Sequence, residues 1–356
     1  MNFKETIFLT GFPGFIAARL VERLTASDRQ ILLLVQQEFV DMAMVRCEMI
    51  ARTSGVPASN FAIIQGDITR PDLGMAKKEV SFVREAATHA FHLAAVYDLV
   101  VAEDTALAVN FEGTRNVNEF VKTIHNLERY SYVSTCYVAG KRTGRVLESE
   151  LEHEAGFRNY YEESKYLAEC EVERLKRELP ATIFRPSVVV GDSITGETPK
   201  YDGIYYLIHY LRKAPSLLRL INVGNEQVRL NMVPVDFVVD GIAVLAFDKE
   251  AERKTIALAD PEPPTTREIF DILAEKMSGK RSLIVPPARL VEQSLMLSLS
   301  PPVTGLPHSG VPYFFLAQTY DTTVADRVLA KHGVACPKFR DYAGKLISYV
   351  DKHPDL

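Results

Sequence analysis

From Thr6 to about Gly191 the chain alternates short, almost wholly apolar runs with longer amphipathic stretches. The runs TIFLT, ILLLV, FAIIQ, HAFHLAAV, YSYVST and ATIFRPSVVVG lack the polar alternation of a half-exposed strand, which is the pattern of a parallel sheet covered on both faces. Between them, Phe15–Ala26, Val80–Ala87, Ala106–His125 and Tyr161–Glu178 repeat apolar residues at helical spacing. Strand-helix alternation predicts an α/β fold with a doubly wound parallel sheet over residues 1–191. Beyond Gly191 the texture changes. GDSITGETPKYDG is rich in turn formers, and prolines cluster at 261, 263, 264, 286, 287, 301, 302 and 307. Residues 192–356 therefore read mainly as a smaller, mixed substrate-binding lobe. VPVDFVVDGIAVLA reads as a helix that rejoins the first domain at about 231–247. The Leu- and Met-rich stretch Pro287–Pro307 reads as lobe core rather than a membrane-contacting patch.

Composition narrows the function. Hydrophobic residues are 47% and charged residues 24% of the 356, an ordinary globular profile. A net charge of −5 gives no electrostatic case for nucleic acid or an anionic membrane. Cys47, Cys136, Cys170 and Cys336 are scattered, with no metal or disulfide spacing, which suits a reducing compartment. The first residues enter a strand at once, leaving no room for a signal peptide, and no apolar run reaches the ~20 residues of a membrane span. A cytoplasmic protein is expected. The one close histidine pair, His89 and His92, lies three apart on a strand and so faces opposite ways, which argues against metal ligation.

Two segments carry chemistry. The first is TGFPGFIAARL, Thr10–Leu20, between the first strand and the first helix. A helix start exposes unpaired N–H groups and the positive end of its dipole. Gly11 permits the tight turn, Gly14 lets a pyrophosphate approach the backbone, and Ala17 is small enough for close helix-strand packing. This assigns Gly11, Phe12, Pro13, Gly14, Phe15 and Ile16 to a dinucleotide. Asp67 and Ile68, after the third strand, and Leu93, Ala94 and Ala95, after the fourth, join them, with Asp67 placed to hold an adenine amino group.

The second segment is NYYEESKYLAE. Tyr161 and Lys165, four apart, project from one helix face. A phenol with pKa near ~10 is a poor acid-base group at neutral pH, and an adjacent lysine cation stabilises its phenolate. Tyr160 competes, but its spacing of five points it off that face. Upstream, YVSTCYVAG ends a strand with Ser134 and Thr135, hydroxyls suited to a substrate carbonyl on which negative charge builds. Asn110, in mid-helix, is a mediocre helix former whose amide invites a hydrogen-bonding role. Cys136 follows Thr135 and should point the other way, as a buried, inert thiol.

Taken in order, TGFPGFIA, GDIT, HLAA, VNFEGTRNV, VSTCYVAG, YEESK and RPSVVVGDSITG resemble an extended short-chain dehydrogenase/reductase, and most of all its fatty acyl reductase and thioester reductase branch. The resemblance implies a Rossmann-type fold. It also implies a catalytic triad of Thr135, Tyr161 and Lys165, with Asn110 as fourth polar member. Pro186, Ser187 and Val188 would border the nicotinamide. Where such relatives usually place an arginine for the 2′-phosphate of NADP, this chain has Gln36, with Arg46 on the following helix. NADP(H) is favoured by family habit, with NAD(H) the alternative. A homodimer through the helices around Ala106–His125 and Tyr161–Glu178 is a further family expectation.

The implied reaction is reduction of an acyl-CoA or acyl-carrier thioester to an aldehyde, continuing in some relatives to the alcohol. The apolar YYLIHYL and VEQSLMLSL would suit an acyl chain, or serve as lobe core. A dehydrogenase of ketones or secondary alcohols needs the same catalytic residues and stays open. A sugar-nucleotide epimerase would want an acidic residue at Gln36, and a redox-sensing module would have lost Tyr161 and Lys165.

Overall fold

A computed structural model describes residues 3–213, 221–297 and 306–354. Its strands, in chain order, are β1 (Glu5–Thr10), β2 (Arg29–Val35), β3 (Phe61–Gln65), β4 (His89–His92), β5 (Arg129–Val133), β6 (Gly144–Val146), β7 (Ala181–Pro186), β8 (Val188–Val190), β9 (Met232–Pro234), β10 (Thr255–Leu258) and β11 (Gln318–Tyr320). Seven of them form one sheet in the order β10-β7-β5-β4-β1-β2-β3, every neighbouring pair parallel. Parallel neighbours need crossover connections, and the amphipathic helices supply them on both faces. Along β1, Ile7 and Leu9 enter the core on one face and Phe8 the core on the other, so each strand is apolar throughout.

The structure differs from the sequence reading in three places. The run ATIFRPSVVVG is two strands, not one. Pro186 has no N–H to continue the ladder, so Ser187 N bonds Leu258 O at 3.1 Å and Val188 N turns to Asn231 O at 3.3 Å. β8 then pairs with β9 in a separate sheet. The seventh strand, β10, is only four residues long and lies outside the strands read from sequence. Finally, the helix around Asn110 is not uniform: Glu103–Ala106 and Gly113–Val121 are α-helical, but Leu107–Glu112 between them is π-helical.

The helix Val235–Leu245 packs against the sheet and the helix Phe15–Leu24. Val238, Val239 and Ile242 share a core with Leu20, Val21 and Leu24 of the helix Phe15–Leu24, and Arg23 pairs with Asp240 at 2.6 Å. The smaller lobe has its own core, in which Ile208 and Leu211 meet Phe270, Leu273, Tyr342 and Leu346. Much of YYLIHYL is therefore lobe core. Of Pro287–Pro307, residues 298–305 lie outside the described residues. In the described part Val291 and Leu306 are buried, whereas Leu290, Met296 and Leu297 are exposed, so the lobe-core reading holds for only some of it. Among the described residues no helix is long and apolar enough to cross a membrane.

Ile242 is fully buried between helix and sheet. Ile242→Ala should destabilise the chain by about 2–5 kcal/mol through lost transfer energy and a residual cavity. Chemical denaturation measures this as a lowered midpoint.

Candidate active site

The strand order reverses at β1, which sits between β2 and β4, and the crevice beyond the carboxyl ends of β1 and β4 is where an open α/β sheet receives ligands. Gly11, just past β1, has φ +95°. A Cβ there would lie 2.7 Å from Ala94 N and 2.8 Å from Leu93 C, so only glycine allows the two chains to pass. Gly14 N donates to Gly11 O at 2.9 Å, and a Cβ on Gly14 would lie 2.8 Å from that oxygen. Gly14 caps the helix Phe15–Leu24 without a side-chain bond. The turn therefore presents bare backbone at a helix N-terminus. The Phe12 side chain is 3% exposed and sits in the core, with the half-buried Phe15 and Ile16 packed against that core.

The other assigned residues fall around this turn. Asp67 accepts from Thr69 N (2.9 Å) and Thr69 Oγ1 (2.8 Å). Partial burial raises its pKa, but hydrogen bonds from Thr69 and Gln36 and the charge of Arg70 outweigh that and lower it. Gln36 thus sits on Asp67. Ile68 is buried against Gly113, while its carbonyl accepts from Asn116 Nδ2 at 2.8 Å. Arg46 is half-buried and makes no ion pair among the described residues. Sequence reasoning passed over Arg70, an exposed cation close to Asp67. At the end of β7, Ser187 is 8% exposed and its hydroxyl is buried with no partner. An orphaned hydroxyl at the carboxyl end of β7, at the same end of the parallel sheet as the glycine turn, fits a bound polar group there.

The helix Tyr160–Leu175 is started by Asn159, whose side chain accepts from Glu162 N. Tyr161 and Lys165 lie on its buried face, 7% and 3% exposed, whereas Tyr160 is 41% exposed. Tyr161 is hydrogen-bonded to Thr135, and burial pushes its phenol well above the usual range. Burial lowers Lys165 to about 7, opposed by the carboxylate of Glu169. Lys165 Nζ donates to Tyr132 Oη and to Val133 O, each at 2.9 Å. Tyr97 packs edge-on to Tyr161 with centroids 5.1 Å apart, and Lys200 Nζ stands 4.3 Å from the Tyr97 ring centroid.

Asn110 lies in the π-helical turn, where the widened backbone aims its amide inward. Oδ1 accepts from Val96 N at 2.8 Å, and Nδ2 donates to Val96 O (3.2 Å) and Ser164 Oγ (3.0 Å). It ties the loop after β4 to the helix carrying Tyr161. Ser134 does not face the carbonyl site: its hydroxyl is bound to Glu169, which Arg185 holds through Nε at 2.8 Å and through Nη2. Cys136 is buried, donates to Arg185 O at 3.2 Å, and has its pKa raised by burial, as expected of an inert thiol. His89 and His92 face opposite ways, His89 toward Phe247 and His92 toward Tyr132. No cluster among the described residues suits a metal.

Gly11→Ala should lower dinucleotide affinity at least about tenfold, because the new carbon must displace Ala94 or open a turn that φ +95° already strains. Fluorescence titration with reduced nicotinamide dinucleotide measures it. Unchanged affinity would move the pyrophosphate site elsewhere.

Comparison with known proteins agrees with this geometry. Residues 9–242 match the NAD-binding family described as male sterility protein. The fatty acyl-CoA reductase wat of Drosophila melanogaster is 26% identical over 285 residues, which are 70% of this chain and 55% of that protein. The L-2-aminoadipate reductase large subunit of Penicillium chrysogenum is 25% identical, over 73% of this chain and 20% of its own. The chain thus spans only part of these relatives. Among solved structures, the terminal R domain from the myxalamid PKS-NRPS biosynthetic pathway superposes with TM-score 0.82 at 25% identity, over 99% of this chain and 92% of that one. A thiolation-reductase di-domain from an archaeal non-ribosomal peptide synthetase shares the fold, with TM-score 0.77 at 19% identity over 98% of this chain and 76% of that one. A parallel sheet with a glycine turn at its switch point, matched over most of its length by one family model, makes the chain a member of the NAD-binding family described as male sterility protein.

Proposed function

We propose that the protein reduces an acyl thioester, of CoA or of a carrier protein, to the aldehyde and, in a second round, the alcohol. NADP(H) is the favoured cofactor. The observation that carries this is the buried Tyr161–Lys165 pair, with Thr135 near the phenol, at the same carboxyl end of the sheet as the glycine turn. The reductases among the relatives support the thioester as substrate class.

When bound, the nicotinamide supplies hydride to the carbonyl carbon. The residues do the rest. Tyr161, kept protonated by burial, donates its phenolic proton to the carbonyl oxygen as charge builds there. Thr135 holds the phenol and shares that oxygen. Lys165 keeps a cation beside the phenolate that Tyr161 becomes, and reaches the ribose hydroxyls with the N–H left over from Tyr132 and Val133. Pro186, Ser187 and Val188 line the nicotinamide side, Ser187 with its unpartnered hydroxyl. With hydride on its carbonyl carbon and the Tyr161 proton on its oxygen a thioester becomes a hemithioacetal, whose C–S bond then breaks to leave aldehyde and thiol, the hydroxyl proton passing to the sulfur. No acyl-enzyme forms, so Cys136 has no part. Residues 192–356 mainly build the acyl site, while the helix near 231–247 serves the dinucleotide domain. Asp67 holds the adenine amino group, and Arg46 and Arg70 are the cations nearest a 2′-phosphate.

Consumption of NADPH with a long-chain acyl-CoA, and aldehyde or alcohol identified by mass spectrometry, would support this reading. Activity confined to ketones or secondary alcohols would defeat it. Tyr161→Phe should abolish turnover while leaving cofactor affinity within about twofold, since only the proton donor is removed. Gln36→Arg should raise preference for NADPH over NADH about tenfold or more through a new phosphate pairing, read from the ratio of kcat/KM values.

A further inference from the structure

We propose that His92, Thr114 and Tyr132 are positioning residues that join the dinucleotide turn to the catalytic lysine through one directed chain of hydrogen bonds. The proposal rests on the reading of Lys165 as catalytic and extends it to groups that touch neither substrate nor cofactor.

The distances give the chain. Ala94 N donates to Thr10 Oγ1 at 3.3 Å. Thr10 Oγ1 and His92 Nδ1 are 2.7 Å apart, and His92 Nε2 and Thr114 Oγ1 are 3.0 Å apart. Thr114 Oγ1 donates to Asn110 O at 2.6 Å. The Tyr132 phenol oxygen accepts from Lys165 Nζ at 2.9 Å, and the Thr114 hydroxyl faces that phenol as the group to which Tyr132 would donate. Thr10, His92 and Asn110 are each 1% exposed, as are Thr114 and Tyr132, so water cannot take a place in the chain.

Counting protons fixes every direction. A hydroxyl has one hydrogen, and Thr114 has given its own to Asn110 O, so it can only accept from His92 and Tyr132. His92 must therefore carry its proton on Nε2, leaving Nδ1 to accept from Thr10. Thr10, having donated, accepts from Ala94 N. Tyr132, donating to Thr114, turns its lone pairs to Lys165. Burial lowers the His92 pKa to about 3, with the Lys165 charge adding to that, so the ring stays neutral at working pH and the tautomer holds. Reversing the bond at His92 leaves two buried acceptors face to face, and reversing the one at Tyr132 turns its O–H toward the Lys165 N–H. The orientation of the phenol at Lys165 is thus set by the same bonds that hold Ala94 against Gly11.

The charged and titratable groups around Lys165 are Tyr132 and, behind it, His92 from the sheet, with Tyr161 and Glu169 from its own helix. Glu169 is already matched by Arg185. The phenol oxygen of Tyr132 is thus a main acceptor for the charged lysine. Its loss disfavours the cation, and Lys165 deprotonates at lower pH.

The test uses the full chain with Tyr132→Phe and Thr114→Val, both near-isosteric. In each, the alkaline limb of kcat/KM for NADPH-dependent reduction should move to lower pH by about one pH unit. The double variant should move no further than either single one, because both cut the same chain. A readout independent of turnover is ¹⁵N NMR of histidine-labelled protein, with the His92 signals assigned by their loss in His92→Gln. The expected spectrum is a neutral Nε2–H tautomer that does not titrate around neutral pH. An unmoved limb in both folded variants, additive shifts, or an Nδ1–H tautomer would overturn the inference. Lys165→Met separates the two levels: if it keeps wild-type turnover, the catalytic reading itself has failed.

Discussion

The rest of the molecule depends on how closely two backbones pass at Gly11 and Ala94. β1 and β4 run as paired strands as far as Thr10 and His92, and one residue later Gly11 lies where any side chain would strike the Ala94 amide. That approach ends both strands together. It opens the crevice between them, starts a helix with bare N–H groups facing it, and brings the Thr10 hydroxyl within reach of Ala94 N. Both the apolar strands on either side and the polar groups around the crevice are positioned by this crossing.

Around the crossing the structure handles buried charge in two ways. Glu169 and Arg185 form a fully paired ion pair whose carboxylate also binds Ser134, so neither charge is left bare. Lys165 has no such partner. It is held by a phenol and a peptide carbonyl, which satisfy hydrogen bonds without cancelling charge, and burial brings its pKa down to about 7. A cation balanced by neutral acceptors is poised to respond to what arrives beside it, whereas the Glu169–Arg185 pair is closed to such influence. The two kinds of site lie one helical turn apart, at positions 165 and 169.

What the sequence revealed follows from what is local. The strands were legible because a covered parallel sheet leaves no polar alternation, and Tyr161 with Lys165 because four residues make one helical turn. Cys136 was legible from strand alternation. What escaped was decided by distant partners. Ser134 reads like a carbonyl-facing hydroxyl until Glu169, 35 residues on, captures it. The break at Pro186 depends on Leu258 of β10 and Asn231, just before β9, offering carbonyls to Ser187 and Val188. His92 reads only as an unlikely metal ligand, and its two hydroxyl partners, Thr10 and Thr114, come from separate segments. β10 is too short to announce itself, and the π-helical turn at Asn110 leaves no mark in apolar spacing.

The seventh strand and its cover have a bearing on how the chain folds. β10 is laid against β7 at residues 255–258, and the face it borders is closed by the helix Val235–Leu245 and by Ala325, Val328 and Leu329 of the helix Thr323–Ala330. A ribosome would therefore release the glycine turn, the helix Tyr160–Leu175 and six of the seven strands long before the last apolar cover exists. The nascent sheet would wait with one face partly open. The two lobes, though distinct in their cores, are threaded through one another in synthesis order, and shortened chains ending before Thr323–Ala330 would expose an apolar surface prone to association.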